Sequence, residues 1–165
     1  MILLVASSTA SSNYHWTQTR VVEPNETHYL GNPVSHYAVS LERIQILSCK
    51  TEDVQFDQAQ CDELERGGFK FEVERDLNGD NETDRAVVAI ATVSTGEKLG
   101  VLLIFNSMTD RNPYVLTSSF SRFSALRETE GGLVWGGCIA CDSSYPIVWN
   151  ESSGEYEIVI PPPLG

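Results

Sequence analysis

Positive charge is scarce in this 165-residue chain: 11 basic side chains face 23 acidic ones, leaving a formal net charge of −12. That deficit excludes nucleic acid, or an anionic membrane surface, as the main partner. It suits bound cations or a basic protein partner. Long apolar runs are also missing. None approaches the roughly 20 residues that a bilayer-spanning helix needs, so no transmembrane segment is expected. The chain carries no G-x-S-x-G elbow, no Walker loop and no dinucleotide fingerprint. Its three histidines, His15, His28 and His36, stand in no metal-binding spacing and beside no sequence-paired nucleophile. Internal repeats and low-complexity blocks are absent.

Apolar residues make up 41% of the chain, an ordinary share for a globular protein. A chain of this length can bury a real core, and residues 13–165 read as one domain. Residues 1–12 begin with an apolar run, Ile2–Ala6, and continue into a small-residue tract. They read as the end of a secretory signal, with Ala10 closing a small-x-small cleavage pattern, or as a flexible tail.

The four cysteines are Cys49, Cys61, Cys138 and Cys141, which allow three full pairings. The sequence-local pairing, Cys49–Cys61 with Cys138–Cys141, is the one expected. An even count fits an oxidising compartment, secreted or periplasmic. Cys138 and Cys141 also form a C-x-x-C, which admits a redox pair or half of a zinc site. Asp142, Ser143, Ser144 and Pro146 follow and favour a turn over the helix a redox pair usually starts. The acidic neighbour opposes thiolate formation. Cys49 and Cys61 are a poor second pair for zinc.

Hydropathy patterning points to an α+β fold, mainly an antiparallel meander with one or two short helices. Residues 13–23 read as an edge strand and residues 24–35 as loop. Val39, Leu41, Ile44 and Ile46 change parity at Glu42–Arg43, so a bulge there keeps them on one face. Residues 57–66 read as a helix capped by Asp57, with Ala59, Cys61 and Leu64 inward and Gly67-Gly68 as its stop. Phe69–Arg75 alternates cleanly, with Phe69, Phe71 and Val73 toward the core. Ala86–Val93 and Val101–Phe105 read as further strands joined at Thr95-Gly96. Asn106–Pro113 reads as loop. Val115–Phe123 is read as strand or irregular, with Arg122–Glu130 as an alternative short helix. Pro146–Trp149 and Tyr156–Ile160 read as the last strands. Pro161, Pro162 and Pro163 stop further pairing.

The strongest chemical signal is D-L-N-G-D-N-E-T-D, from Asp76 to Asp84. Asp76, Asn78, Asp80 and Asp84 supply side-chain oxygens at alternate positions, and Glu82 supplies its backbone carbonyl. Calcium takes six to eight oxygens in a flexible cage, and this spacing provides them. Val87 stands where an EF-hand carries its bidentate glutamate, and strand-like flanks replace the EF-hand helices. With R-A-V-V-A-I after it, the loop resembles the calcium half of an FG-GAP repeat, as in integrin-like β-propellers, over about 20 residues. The resemblance implies Asp76, Asn78, Asp80 and Asp84 as ligands, with Asn81 where the family has glycine. Asn is the side chain next most tolerant of the left-handed backbone needed there. A propeller needs four or more repeated blades, and one loop supplies none, so only the loop carries over. The implied cofactor is one structural Ca2+ joining two strands.

Other features have plainer readings. Glu72 and Glu74 share a strand face; that is an acid–base pair in a glycosidase and a solvated face elsewhere. Trp16, Trp135 and Trp149 could line a groove, but their spacing does not join them and core packing is the default. Asn25, Asn81 and Asn150 begin N-x-S/T patterns, which matter only in a glycosylating secretory pathway.

Three functional classes follow. The leading one is a small exported, calcium-stabilised binding or inhibitory module that occludes a protein partner, as a periplasmic protein neutralising a cell-wall-degrading enzyme would. The alternatives are an extracytoplasmic hydrolase and a carbohydrate- or surface-binding accessory domain.

Overall fold

A computed structural model describes residues 26–49, 56–120, 123–137 and 144–160. In chain order the strands are β1 (His28–Tyr29), β2 (Asn32–Pro33), β3 (Leu41–Ile46), β4 (Phe69–Lys70), β5 (Glu72–Arg75), β6 (Asp84–Val93), β7 (Lys98–Phe105), β8 (Tyr114–Ser118), β9 (Ala125–Thr129), β10 (Gly132–Gly136), β11 (Ser144–Asn150) and β12 (Glu155–Ile158). Helix α1 (Gln58–Arg66) lies between β3 and β4, and a 3-10 turn spans Val34–His36. The fold is therefore mostly antiparallel sheet with one short α-helix among the described residues.

The strands make two five-stranded sheets and a small hairpin. One sheet has the order β3-β6-β7-β8, with β5 also on β6; the other runs β12-β11-β10-β9-β4. Strand β6 is the axis of the first. On one edge it pairs with β7 along nearly its whole length. Its other edge is shared, by β5 near its start and β3 near its end. The nearly unbroken apolar run of β6 reflects burial on both faces. Val88 and Ile90 face one core with Leu102 and Ile104 of β7, while Ala89, Ala91 and Val93 face another with Val101, Leu103 and Phe105.

The first core is the larger. In it the β6 sheet meets Leu126, Leu133, Trp135 and Ile147 of the second sheet, and α1 adds Cys61 and Leu64. Trp135 is fully buried and donates its indole N–H to the equally buried Ser124 hydroxyl at 2.5 Å. That bond satisfies the one polar group the large ring carries inward. Phe56, Phe71 and Phe123 form a ring cluster beside it, Phe56 stacked on Phe71 at 5.1 Å and Phe123 edge-on to both.

Several expectations hold. The bulge in β3 falls between Leu41 and Arg43, and it keeps Leu41, Ile44 and Ile46 against one core. Asp57 caps α1 through a capping box, accepting from Gln60 N–H while the Gln60 side chain accepts from Asp57 N–H. Gly68 takes φ +72° just past the helix end.

Others need correction. Val39 is 95% exposed, because β3 begins only at Leu41. Ala59 is exposed; only Cys61 and Leu64 of that set are buried. The segment 24–35 holds the β1–β2 hairpin, turned by Leu30 and Gly31 at φ +50° and +83°. Of the helix expected over Arg122–Glu130, the described residues 123–130 are not helical. They hold β9, whose Ala125 and Leu126 enter the core and pair with β10. Gly132–Gly136 forms β10, a strand that the pattern, with glycine at both ends, does not predict. Phe69–Arg75 is two strands rather than one: β4 pairs with β9 in one sheet and β5 with β6 in the other. Alternation survives the crossing, since Phe71 and Val73 are buried, while Phe69 is half-buried under the Arg127 guanidinium, 5.5 Å from its ring centre. The predicted strand at 13–23 and the proline run at 161–163 lie outside the described residues.

Candidate metal centre

The D-L-N-G-D-N-E-T-D run is the turn of the β5–β6 hairpin. Arg75 pairs with Asp84 at its base, and both flanks are strands as expected. The chain curls through Gly79 at φ +83° and Asn81 at φ +68°. Asn81 thus adopts the left-handed backbone expected of its position, which few other side chains tolerate.

Side-chain oxygens organise the loop. Asp76 Oδ1 accepts from Gly79 N–H at 2.6 Å and its Oδ2 from Asn81 N–H at 2.9 Å. Asn78 Oδ1 accepts from Asp80 N–H, and Asn78 Nδ2 donates to Asp80 Oδ2 at 2.9 Å. Asp80 Oδ1 accepts from Glu82 N–H at 2.7 Å. These are Asx turns. Desolvation opposes ionisation of Asp76, but N–H groups of Asn81, Gly79, Asn78 and Asp80 outweigh it and hold its pKa below the usual carboxylate value.

Asp84 differs from the other carboxylates. It is 0% exposed. Its Oδ2 accepts from Leu77 N–H at 2.8 Å and from the Tyr156 hydroxyl at 3.1 Å. Its Oδ1 is buried with no hydrogen-bond partner. Desolvation raises the Asp84 pKa, the Leu77 and Tyr156 donors lower it, and the charges of Asp80 and Asp76 raise it further; the net shift is upward. The Tyr156 hydroxyl is raised too, first by burial and then by the Asp84 charge beside it. Tyr156 lies on β12, in the other sheet, 72 residues from Asp84. It is the site residue that sequence reasoning missed. The E-Y-E-I alternation marks it as inward, but nothing local names its partner.

Whether these residues fit a cation is decided by oxygen supply. Among the described residues, no three His, Cys, Asp or Glu side chains converge closely enough to hold a metal ion as they stand. The Asx turns draw Asp76 and Asp80 onto loop N–H groups instead. Those bonds use one lone pair of each oxygen, and metal-ligating carboxylates are ordinarily hydrogen-bonded in this way. The bare Oδ1 of Asp84 has no such bond. An ionised carboxylate oxygen without a partner is costly to bury, by about 1–3 kcal/mol or more, and either a proton or a bound cation offsets that cost. The oxygen donors of the loop are of the kind calcium takes.

The remaining candidates separate. Cys49 and Cys61 form a disulfide, with 5.9 Å between their Cα atoms, that ties the end of β3 to α1. Cys138 and Cys141 lie outside the described residues, as do His15, Trp16 and Asn25. His28 is exposed against the Thr27 hydroxyl, and exposed His36 meets Asn112 Oδ1 at 3.1 Å. Glu72 pairs with Arg85, whose guanidinium also lies 5.9 Å from the Phe105 ring centre; Glu74 is exposed. Trp149 is half-buried in a cluster with Tyr114 and Tyr156. Asn150 shapes the β11–β12 turn, accepting from Ser152 N–H and donating to Glu157.

Comparison with known proteins finds no family model, no curated protein and no solved structure that matches the chain. Among the described residues, no helix is long and apolar enough to cross a membrane.

Proposed function

We propose that this chain is a small exported module, stiffened by one structural calcium ion, that binds another protein and acts by occluding it. The observation that carries the metal is the buried, partnerless Oδ1 of Asp84. Asp76, Asn78 and Asp80 supply the other side-chain oxygens and Glu82 its carbonyl, as in the FG-GAP half-repeat the loop resembles. When bound, calcium supplies charge neutralisation and a rigid joint, not a reaction. Asp84 holds Tyr156 at the same time, so the joint reaches from the β6 sheet to β12. The net charge of −12 supports a basic partner, and the Cys49–Cys61 disulfide supports an oxidising location, secreted or periplasmic.

The test has two arms. Calorimetric titration of the chelated protein with Ca2+ should give one site, and Asp84→Asn should abolish it. Affinity capture from native extract, under non-reducing conditions with calcium or chelator, should retain one stoichiometric, salt-sensitive protein. No heat from the titration sinks the metal; retention of nothing by the calcium-loaded protein sinks the binder.

A second reading, the carbohydrate-binding accessory domain, has one observation in its favour. A hollow of about 290 Å3 lies between Asp76, Asn78 and Trp149, joining the acidic loop to an aromatic face. Chelator-sensitive retention on a glycan array, with no protein captured, would select it.

A further inference from the structure

Strands β3 and β5 share one edge of β6 and meet at Val88, whose carbonyl accepts from Leu47 N–H and whose N–H donates to the Phe71 carbonyl. Beside this junction, lined by residues of β3, α1 and β4–β5, is a cleft of about 680 Å3. Leu47, Leu64 and Phe71 give it apolar walls, and the Cys49–Cys61 disulfide fixes one side. Gln45 lines it from β3. This side chain is only 8% exposed, and its Oε1 has no hydrogen-bond partner. A buried amide oxygen left unmatched costs free energy that an apolar residue of the same volume would avoid.

The rim is acidic. Among the described residues, Glu26, Asp62, Glu65 and Glu72 border the cleft, with Lys70 as the basic side chain beside them. Lys70 pairs with Glu128 and Glu72 with Arg85, so those charges are matched locally. Among the described residues Glu26, Asp62 and Glu65 have no ion-pair partner. An apolar passage, an unpaired amide oxygen buried in its wall and carboxylates without ion-pair partners at its mouth, Asp62 among them with only the Gln58 side chain donating to it, suit an aliphatic stem ending in a cationic donor. The terminal torsion of a glutamine is soft, which lets its oxygen turn to meet such a donor.

We propose that this cleft receives a lysine or arginine side chain presented by a protein partner. The proposal rests on the binding-module reading above and names the group the module recognises. The cleft exceeds the volume of one side chain, so the flanking backbone of the partner enters with it. Gln45 is the specificity-determining residue; Asp62 and Glu65 steer the cation to the mouth.

The full, disulfide-intact chain is titrated with a short peptide carrying one central arginine between uncharged residues. Amide shifts and calorimetry are followed in calcium and in chelator, with a norleucine peptide and n-pentylamine as controls. Shifts should concentrate at Gln45–Cys49 and along α1. The norleucine peptide should bind at least tenfold more weakly, and pentylamine likewise. Gln45→Met should weaken arginine binding at least tenfold while raising the melting temperature, because it removes the unmatched acceptor. A loss of fold could not raise that temperature. Glu65→Gln, on the exposed face of α1, should weaken binding several-fold with the melting temperature unchanged. Equal binding of the norleucine peptide, or unchanged affinity in Gln45→Met, overturns the proposal. Pentylamine binding as tightly as the peptide overturns the protein partner. Full arginine binding in chelator upholds the cleft and overturns only the metal's share in the binding-module reading.

Discussion

At the scale of single residues, Asp84 and Tyr156 decide how the loop is held. The Tyr156 hydroxyl donates to Asp84 Oδ2 across the two sheets. Tyr156→Phe removes that donor and leaves the ring in place, so it should cost about 1.5–3 kcal/mol. Urea unfolding with an unchanged slope checks this. Acidity reports on Asp84 from another side. Its folded-state pKa is raised, chiefly by desolvation. A raised carboxylate pKa means the folded state binds the proton more tightly than the unfolded chain does. In chelator its contribution to stability is therefore fully present below the unfolded carboxylate pKa and is lost as pH rises through the folded one. With calcium the sense reverses, because the proton competes with the metal. Melting temperatures with calcium and with chelator should converge toward acid pH and separate as pH rises. Parallel curves would sink the assignment. Much at this scale was legible in advance. Asn81 follows from backbone sterics, and the Asp57 cap from local hydrogen bonding. Tyr156 does not, because its partner is a matter of which strands meet, and no local pattern encodes that.

At the scale of elements, α1 and the strands around it carry the sharpest expectations. The Cys49–Cys61 bond closes a separation of 12 residues. Replacing both cysteines with serine should cost about 2–3 kcal/mol, mainly by freeing the unfolded chain; denaturant midpoints under oxidising conditions test it. In β7, a Cβ at Gly100 would fall 2.8 Å from both Phe120 Cβ and Ser118 Oγ. Gly100→Ala should lose about 1–3 kcal/mol by overpacking the β7–β8 face, read as a lower melting temperature. A neutral result would mean that Phe120 yields freely. Element type was readable wherever alternation was strict, as in Phe69–Arg75, and where apolar runs were long, as in β6. It was misread where two signals conflicted. Charged residues around Arg127 favour a helix locally, yet β9 is a strand because Ala125 and Leu126 pair with β10 inside the core. Tertiary pairing overrides weak propensity there. The break at Phe71 is invisible for a related reason: alternation reports which face is buried, not which sheet is joined.

At the scale of the whole molecule, charge dominates. A net charge of −12 spread over one small protein opposes its own compaction. Monovalent salt at a few tenths molar screens that repulsion, so the melting temperature in chelator should rise with salt, and the gain should shrink once calcium is added. A fall in melting temperature with salt would show that the few ion pairs, Lys70–Glu128 among them, outweigh the repulsion. Composition foretold this acidity, and hydropathy patterning the antiparallel bias. The division into two facing sheets was not readable, since a meander and a sandwich share the same strand pattern until the connections are known.

The crossing at Phe71 has a consequence for how copies of this protein treat one another. One uninterrupted stretch of chain enters the second sheet through β4 and leaves by the first through β5, with Phe71 clamped against Phe56 where it passes. Two molecules cannot trade a sheet without drawing that ring out of its stack. Strand-exchanged dimers, a low-cost route to association for many folds, are disfavoured here, and a concentrated sample should keep each molecule threaded through itself alone.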